Sequence, residues 1–206
     1  LVNQCIHNLD IFQWLCGVPE SVRGFCEMGK YHPIEVEDEA TAYFTYANGA
    51  SGTFVGSTGE APGFNRLEIV GDRASLTFDG QYILLHDNQA SVSDYCRSTR
   101  DMFGMPKVQV RDITPVETTN NQHAGILNNF VAAIEGREPL IAPAAEGMNS
   151  LGIANAILLS HWLNDSVSCP PDADRYQAAL NKRIQDSQLR ERQNIDVTID
   201  MNKSYR

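Results

Sequence analysis

Ala40-Thr41-Ala42-Tyr43-Phe44-Thr45-Tyr46-Ala47-Asn48-Gly49-Ala50-Ser51-Gly52-Thr53-Phe54-Val55-Gly56-Ser57 is the stretch that decides the fold. Two β-rich runs, 40–46 and 51–57, flank Asn48-Gly49. An Asn-Gly pair between such runs is the strongest short-range hairpin signal, because both residues tolerate positive φ. The reading is two adjacent antiparallel strands. Their outward positions are small, hydroxylic or aromatic and carry no charge, which suits a sheet face pressed against a partner subunit.

Working outward, the β-rich texture extends from Ser21 to His86, with further clear runs at Arg66–Val70 and Ala74–Phe78, punctuated by Gly71-Asp72 and Asp79-Gly80. The stretch 91–119 is less regular and carries a strand near Val108–Ile113. Ahead of the sheet, Cys5, Leu9, Phe12 and Cys16 recur at helical spacing, and Gly17 and Pro19 supply a stop, so 4–16 reads as an amphipathic helix. After the sheet come a helix over 122–135, with Ile126, Leu127, Phe130, Val131 and Ile134 on one face and Gly136 as its stop, and a helix over 144–163 that is apolar on most sides. A polar helix follows from Arg175 to about Gln188, and 193–206 alternates as an edge strand would, or is disordered. Helix, strands, then helices is the α+β pattern, here a large, mostly antiparallel open sheet with helices on one face.

A chain of 206 residues with 42% hydrophobic and 20% charged residues has enough apolar material for a packed core. Its net charge of -10 repels phosphate backbones and anionic headgroups, which argues against nucleic acid and membrane surfaces as partners. No apolar run approaches the roughly 18 residues that a membrane span needs, and no signal series opens the chain. The five cysteines are an odd number, scattered, without a CxxC pair, and read as reduced thiols of a cytoplasmic protein. The opening Leu1-Val2-Asn3-Gln4 runs straight into a helical pattern, as the interior of a longer protein would.

Chemistry is concentrated on the first helix. Asn3, His7 and Asp10, spaced four and three apart, share a face opposite the Cys5, Leu9, Phe12 and Cys16 stripe. An imidazole there can exchange a proton near neutral pH, with Asp10 orienting it, or it is a hydrogen-bonded helix histidine at a domain surface. The loop Gly56-Ser57-Thr58-Gly59-Glu60-Ala61-Pro62-Gly63 offers hydroxyls and mobile backbone for a polyol, or is a plain turn. Among the other histidines, His123 suits a cap near a helix start and His161 suits a core position. The acidic run Glu35-Val36-Glu37-Asp38-Glu39 reads as a solvated strand entrance and not as a metal site. No metal is expected, and no HExxH or GxSxG supports a hydrolase. The 15 glycines contain no GxG pair, so the GxGxxG dinucleotide fingerprint is absent from this sequence.

Asn3-Gln4-Cys5-Ile6-His7-Asn8-Leu9-Asp10-Ile11-Phe12-Gln13-Trp14-Leu15 followed by Gly17-Val18-Pro19 resembles the segment after the nucleotide-binding domain of Gfo/Idh/MocA oxidoreductases, the glucose-fructose oxidoreductase and inositol dehydrogenase family. So, in order, do Ile34–Asp38, Asn48–Gly52, Ser57-Thr58 with Pro62-Gly63, Leu67–Gly71, Asn129–Pro139 and Leu158–Ser160. The resemblance covers residues 1 to about 187. It implies that 1–187 form a C-terminal substrate-binding and oligomerisation domain, 188–206 an extension, and that an N-terminal Rossmann domain binding NAD or NADP completes the enzyme.

The implied reaction is hydride transfer between a nicotinamide and a sugar, sugar derivative or cyclitol. His7 matches the family's catalytic histidine; Asn3, Asp10, Ser57 and Thr58 are the candidate substrate contacts. The family's catalytic lysine belongs to the absent domain, so the resemblance implies an isolated chain without activity. Asn3 stands where inositol dehydrogenases carry an aspartate, and an amide cannot relay a proton. A dimer or tetramer through the open sheet face is expected. The alternatives are a non-catalytic ligand-binding or oligomerisation module, and an NAD-using glycosidase of the same family.

Overall fold

The computed structural model describes residues 1–116 and 122–188. These residues form two compact units, one from 1–59 with 144–188, the other from 60–116 with 122–143.

In the first unit α1 (Ile6–Cys16) precedes three strands, β1 (Ser21–Met28), β2 (Glu37–Thr45) and β3 (Ser51–Ser57). The predicted hairpin is β2 and β3, antiparallel from Glu39 opposite Ser57 to Thr45 opposite Ser51, with Gly49 of the connecting turn at φ 85. β1 pairs antiparallel with the other edge of β2. Register puts alternate residues on opposite faces. Val22, Cys26, Asp38, Ala40, Ala42 and Phe44 lie on the buried face; Phe25, Tyr43 and Val55 lie exposed on the other.

Two helices cover the buried face. α1 crosses β3, and glycines set its approach: a β carbon on Gly56 would sit 3.0 Å from Cys5 Sγ, and one on Gly52 would sit 3.2 Å from the Phe12 ring. Phe12 stacks obliquely on Phe44 at 5.1 Å between centroids, and Leu9 is fully buried. The second covering helix, α4 (Gly147–Leu163), fourth in chain order, buries Ile153, Ala154, Ala156, Ile157 and Leu159. It meets β1 at Gly24, where a β carbon would be 2.4 Å from the Ile157 carbonyl oxygen.

The polar residues of this apolar helix have a specific task. Among the described residues the outer edge of β1 has no strand partner beyond Val22, because the short β8 (Val167–Ser168) pairs only with Ser21 and Val22. Unpaired backbone donors in a core are costly. The Gly24 N–H is taken by Ser160 Oγ at 2.8 Å and the Cys26 N–H by His161 Nδ1 at 3.1 Å, while Ser160 in turn donates to the Asp165 carbonyl. Burial and nearby Arg183 lower the His161 pKa, in keeping with a ring nitrogen that accepts. The unit ends with α5 (Ala173–Asp186), capped by Asp172, whose carboxylate accepts the Arg175 N–H at 2.8 Å.

The second unit contains an antiparallel meander of β4 (Leu67–Val70), β5 (Ala74–Phe78), β6 (Ile83–Asn88) and β7 (Val108–Asp112). It also holds α2 (Val92–Ser98) and α3 (Gln122–Ile134). Ser91 caps α2 by accepting the Asp94 N–H, and the adjacent Asp72 is held down to about 2 by hydrogen bonds from Ser91 and Ser93. In α3 the residues facing inward are Asn129 and Ala132, whereas the predicted stripe of Ile126, Leu127, Phe130, Val131 and Ile134 is exposed.

The α+β class and antiparallel pairing hold throughout the described residues. The single large sheet is corrected: the strands divide into two sheets of four, separated after β3 by the Gly- and Pro-containing stretch 58–66. Strand propensity is local, while membership of a sheet is decided by which edges meet. The predicted tail at 193–206 lies outside the described residues.

Candidate functional site

The faces of α1 separate packing from chemistry. Leu9 and Gln13 are buried, with Cys5, Phe12 and Cys16 partly so. His7, Asp10, Ile11, Trp14 and Leu15 are exposed, Trp14 at 75%. His7 thus heads a solvent-facing stripe of large apolar side chains. Asn3 lies in the turn ahead of α1, also exposed, and the Cys5 N–H bonded to the Leu1 carbonyl at 3.1 Å carries the helical sense through that turn. The carboxylate of Asp10 accepts the Gln13 side-chain amide at 3.1 Å, and Gln13 accepts from Asn149 of α4 at 3.3 Å. Asp10 is therefore oriented toward the α1–α4 seam, and among the described contacts none joins it to the His7 ring.

Ser57 and Thr58 sit at the end of β3, next to Gly56, which the start of α1 touches through Cys5. Ser57 shares with Glu39 the open face of the sheet, opposite the side that α1 covers. Its hydroxyl accepts the Gly59 N–H at 3.1 Å and keeps its own hydrogen free to donate. Thr58 is exposed; its N–H and its hydroxyl both donate to the Asp38 carbonyl, at 2.9 and 3.3 Å. The structure brings Asn3, His7 and Asp10 to one side of α1 and records no contact between them and Ser57 or Thr58.

The residue that sequence reasoning missed is Asp38. The acidic run is not uniformly solvated: the Asp38 side chain is 0% exposed. Its carboxylate accepts the N–H groups of Lys30, Tyr31 and His32 at 3.0, 2.7 and 3.0 Å, with His32 Nδ1 at 3.3 Å. Burial pushes this carboxyl up, but the three backbone donors and the His32 ring outweigh it and hold the pKa down to about 2. The alternation Asp38, Ala40, Ala42, Phe44 was the available signal, since it puts this one acid on the apolar face.

Four of the five thiols, Cys5, Cys16, Cys26 and Cys169, are packing groups, and Cys96 is exposed. Burial raises Cys5 and Cys16 and pushes Cys26 to about 12 and Cys169 to about 11, so none of the four is a ready thiolate. Among the described residues no cluster of His, Cys, Asp and Glu is placed to hold a metal, and no helix is long and apolar enough to cross a membrane. In the second unit a groove of about 560 Å³ is lined by Asn128, Asn129, Arg137 and Glu138. The Asn129 amide there is already occupied by Pro139 and Ile141.

A dinucleotide does not fit these residues. Every strand pair described is antiparallel, so no βαβ crossover presents a helix N-terminus to a pyrophosphate, and the sequence lacks a GxG turn.

The fold is that of a domain found in solved oxidoreductases. The WlbA dehydrogenase from Chromobacterium violaceum, solved with NADH and UDP-GlcNAcA, is similar with a TM-score of 0.60 at 22% identity, over 82% of this chain and 46% of that one. An oxidoreductase domain protein from Kribbella flavida gives 0.63 at 18%, over 82% and 49%. A levoglucosan dehydrogenase gives 0.60 at 17%, over 83% and 51%. The chain spans about half the length of these structural relatives. No curated protein matches it. Residues 1–77 match the GFO/IDH/MocA C-terminal domain. The family match ends at Thr77, well short of the residue 187 to which the sequence resemblance extends.

Proposed function

We propose that residues 1–187 are the substrate-binding and oligomerisation part of an NAD(P)-dependent dehydrogenase or reductase acting on a sugar, sugar derivative or cyclitol, with 188–206 an extension. The observation that carries this reading is the division of α1. Its Leu9 and Phe12 side packs onto the sheet, and His7 stands exposed beside Ile11 and Trp14, an apolar border of the kind a second domain covers. The nicotinamide, held by a nucleotide-binding domain outside these 206 residues, supplies the hydride chemistry.

What this chain supplies is proton handling and substrate orientation. A neutral His7 imidazole takes the proton of the reacting hydroxyl and becomes imidazolium; in the reverse direction it returns that proton. Asn3 hydrogen-bonds a hydroxyl without titrating. Asp10, fixed by Gln13, offers its second oxygen as an acceptor, Ser57 offers a hydroxyl hydrogen and Thr58 an acceptor lone pair. The open face bearing Phe25, Tyr43 and Val55 pairs subunits into a homo-oligomer, and the protein works in the cytoplasm.

The test is made on the full-length protein. The coding sequence ahead of Leu1 should encode a strand, a GxGxxG turn and a helix. The purified protein, given NAD or NADP and a panel of sugars and cyclitols, should accumulate reduced cofactor with at least one of them. A full-length protein that binds no dinucleotide would leave only a ligand-binding or assembly module, and glycoside cleavage without net cofactor reduction would favour a glycosidase.

A further inference from the structure

We propose that Asp38 is a positioning residue for the Ser57–Gly59 loop, acting through Tyr31; its place in the substrate site rests on the reading of Ser57 and Thr58 given above. Asp38 reaches that loop by two routes. Through its backbone, its carbonyl takes both donors of Thr58. Through its side chain, the carboxylate gathers three consecutive N–H groups, Lys30 to His32, and fixes the turn that carries the Tyr31 ring. That ring lies directly on Gly59, where a β carbon would be 2.3 Å from two ring atoms. The Tyr31 hydroxyl is tied in turn to Glu39 at 2.8 Å, and Lys30 Nζ bonds both oxygens of the same carboxylate at 2.8 and 2.9 Å. Glu39 is the register partner of Ser57, so the clamp closes on the strand that leads into the loop.

The arrangement is more than a means of burying an acid. A solvent-excluded carboxylate is unfavourable unless its oxygens are satisfied, and here every donor that satisfies it comes from the one turn that packs on Gly59. Gly59 is required for the same contact, because any side chain there would displace the ring. Removing the charge should therefore loosen the 30–32 turn, and only through Tyr31 the 57–59 loop.

Amide hydrogen exchange on the full chain reads this directly. Asp38→Asn should speed exchange at Lys30, Tyr31, His32 and Thr58 by about tenfold or more, while Ile157 in the core stays protected. If Asp38→Asn does not fold, Tyr31→Ala isolates the second link: Thr58 should exchange about tenfold faster with Lys30 and His32 unchanged. Wild-type exchange at Thr58 in Tyr31→Ala overturns the clamp. In the full-length protein, with levoglucosan and UDP-GlcNAcA as sugar probes, Tyr31→Ala should raise KM about tenfold and leave kcat within about twofold, a split that general destabilisation does not produce. Fast Thr58 exchange together with an unchanged KM in Ser57→Ala would contradict the substrate reading and leave the clamp standing.

Discussion

The two faces of the β1–β3 layer are built on opposite terms. On the covered face every feature answers to a neighbour: Gly24 admits the Ile157 carbonyl, Gly52 and Gly56 admit α1, and Ser160 and His161 complete an edge that β8 leaves unpaired. On the open face Phe25, Tyr43 and Val55 stand exposed among Thr41, Thr53 and Ser51, with the Arg23 guanidinium 4.8 Å from the centre of the Phe25 ring. α1 repeats the contrast on a smaller scale, with Leu9 fully enclosed and Trp14 on its far side exposed. Positions that hold the fold are over-determined, and positions open to a second domain, a subunit or a substrate are left free. His7 belongs to the second kind.

The sharpest way to break this contrast is Gly24→Ala. The added carbon would sit 2.4 Å from a backbone oxygen that α4 cannot move without shifting as a whole, so a loss of about 3 kcal/mol is expected, measured as a lower denaturant midpoint. Little change there would mean that α4 is held less tightly than its burial implies.

A second test uses acid. The folded-state pKa of Asp38 is depressed to about 2, below the ordinary value near 3.9, so its contribution is present above about pH 4 and is lost as pH falls toward 2. Stability should fall across that window in the wild type and more shallowly in Asp38→Asn, with unfolding at a series of pH values as the measurement. The groups facing this carboxylate are the N–H donors of residues 30–32 and the His32 ring; Asp72, also held down to about 2, contributes over the same window, so the difference between wild type and Asp38→Asn is what reports Asp38.

The smallest effect is expected on the open face. Val55→Lys, at a position 67% exposed, should change monomer stability by less than about 0.5 kcal/mol. The same substitution should weaken self-association on sedimentation if this face pairs subunits. A large stability loss would mean that the face is covered within one chain.

How legible all this was from sequence follows the same division. The hairpin was readable because Asn48-Gly49 fixes a turn locally, and α1 because Cys5, Leu9, Phe12 and Cys16 repeat at helical spacing. The helix over 144–163 was readable from its apolar content, although its first residues form a short 3-10 turn. The split into two sheets was not, because pairing partners are set by distant edges. α2 was hidden in a stretch without apolar periodicity, where Ser91 and Asp72 supply the order through side-chain hydrogen bonds to backbone. Asp38 was overlooked because Glu35, Glu37 and Glu39 made the run look uniformly acidic, when only the one residue in phase with Ala40 and Ala42 turns inward. Asn3, His7 and Asp10 were found from spacing and resemblance, and the bond from Gln13 to Asp10 could not have been, since it depends on α4 drawing Gln13 into the seam.

In the proposed function His7 handles the proton in a reaction whose hydride belongs to a nicotinamide held elsewhere. Steady-state turnover of His7→Ala in the full-length protein, with its sugar substrate and with cofactor affinity measured alongside, tests it most directly. The account predicts a kcat lower by about 10² or more with cofactor Kd unchanged. Unchanged turnover in His7→Ala would contradict it.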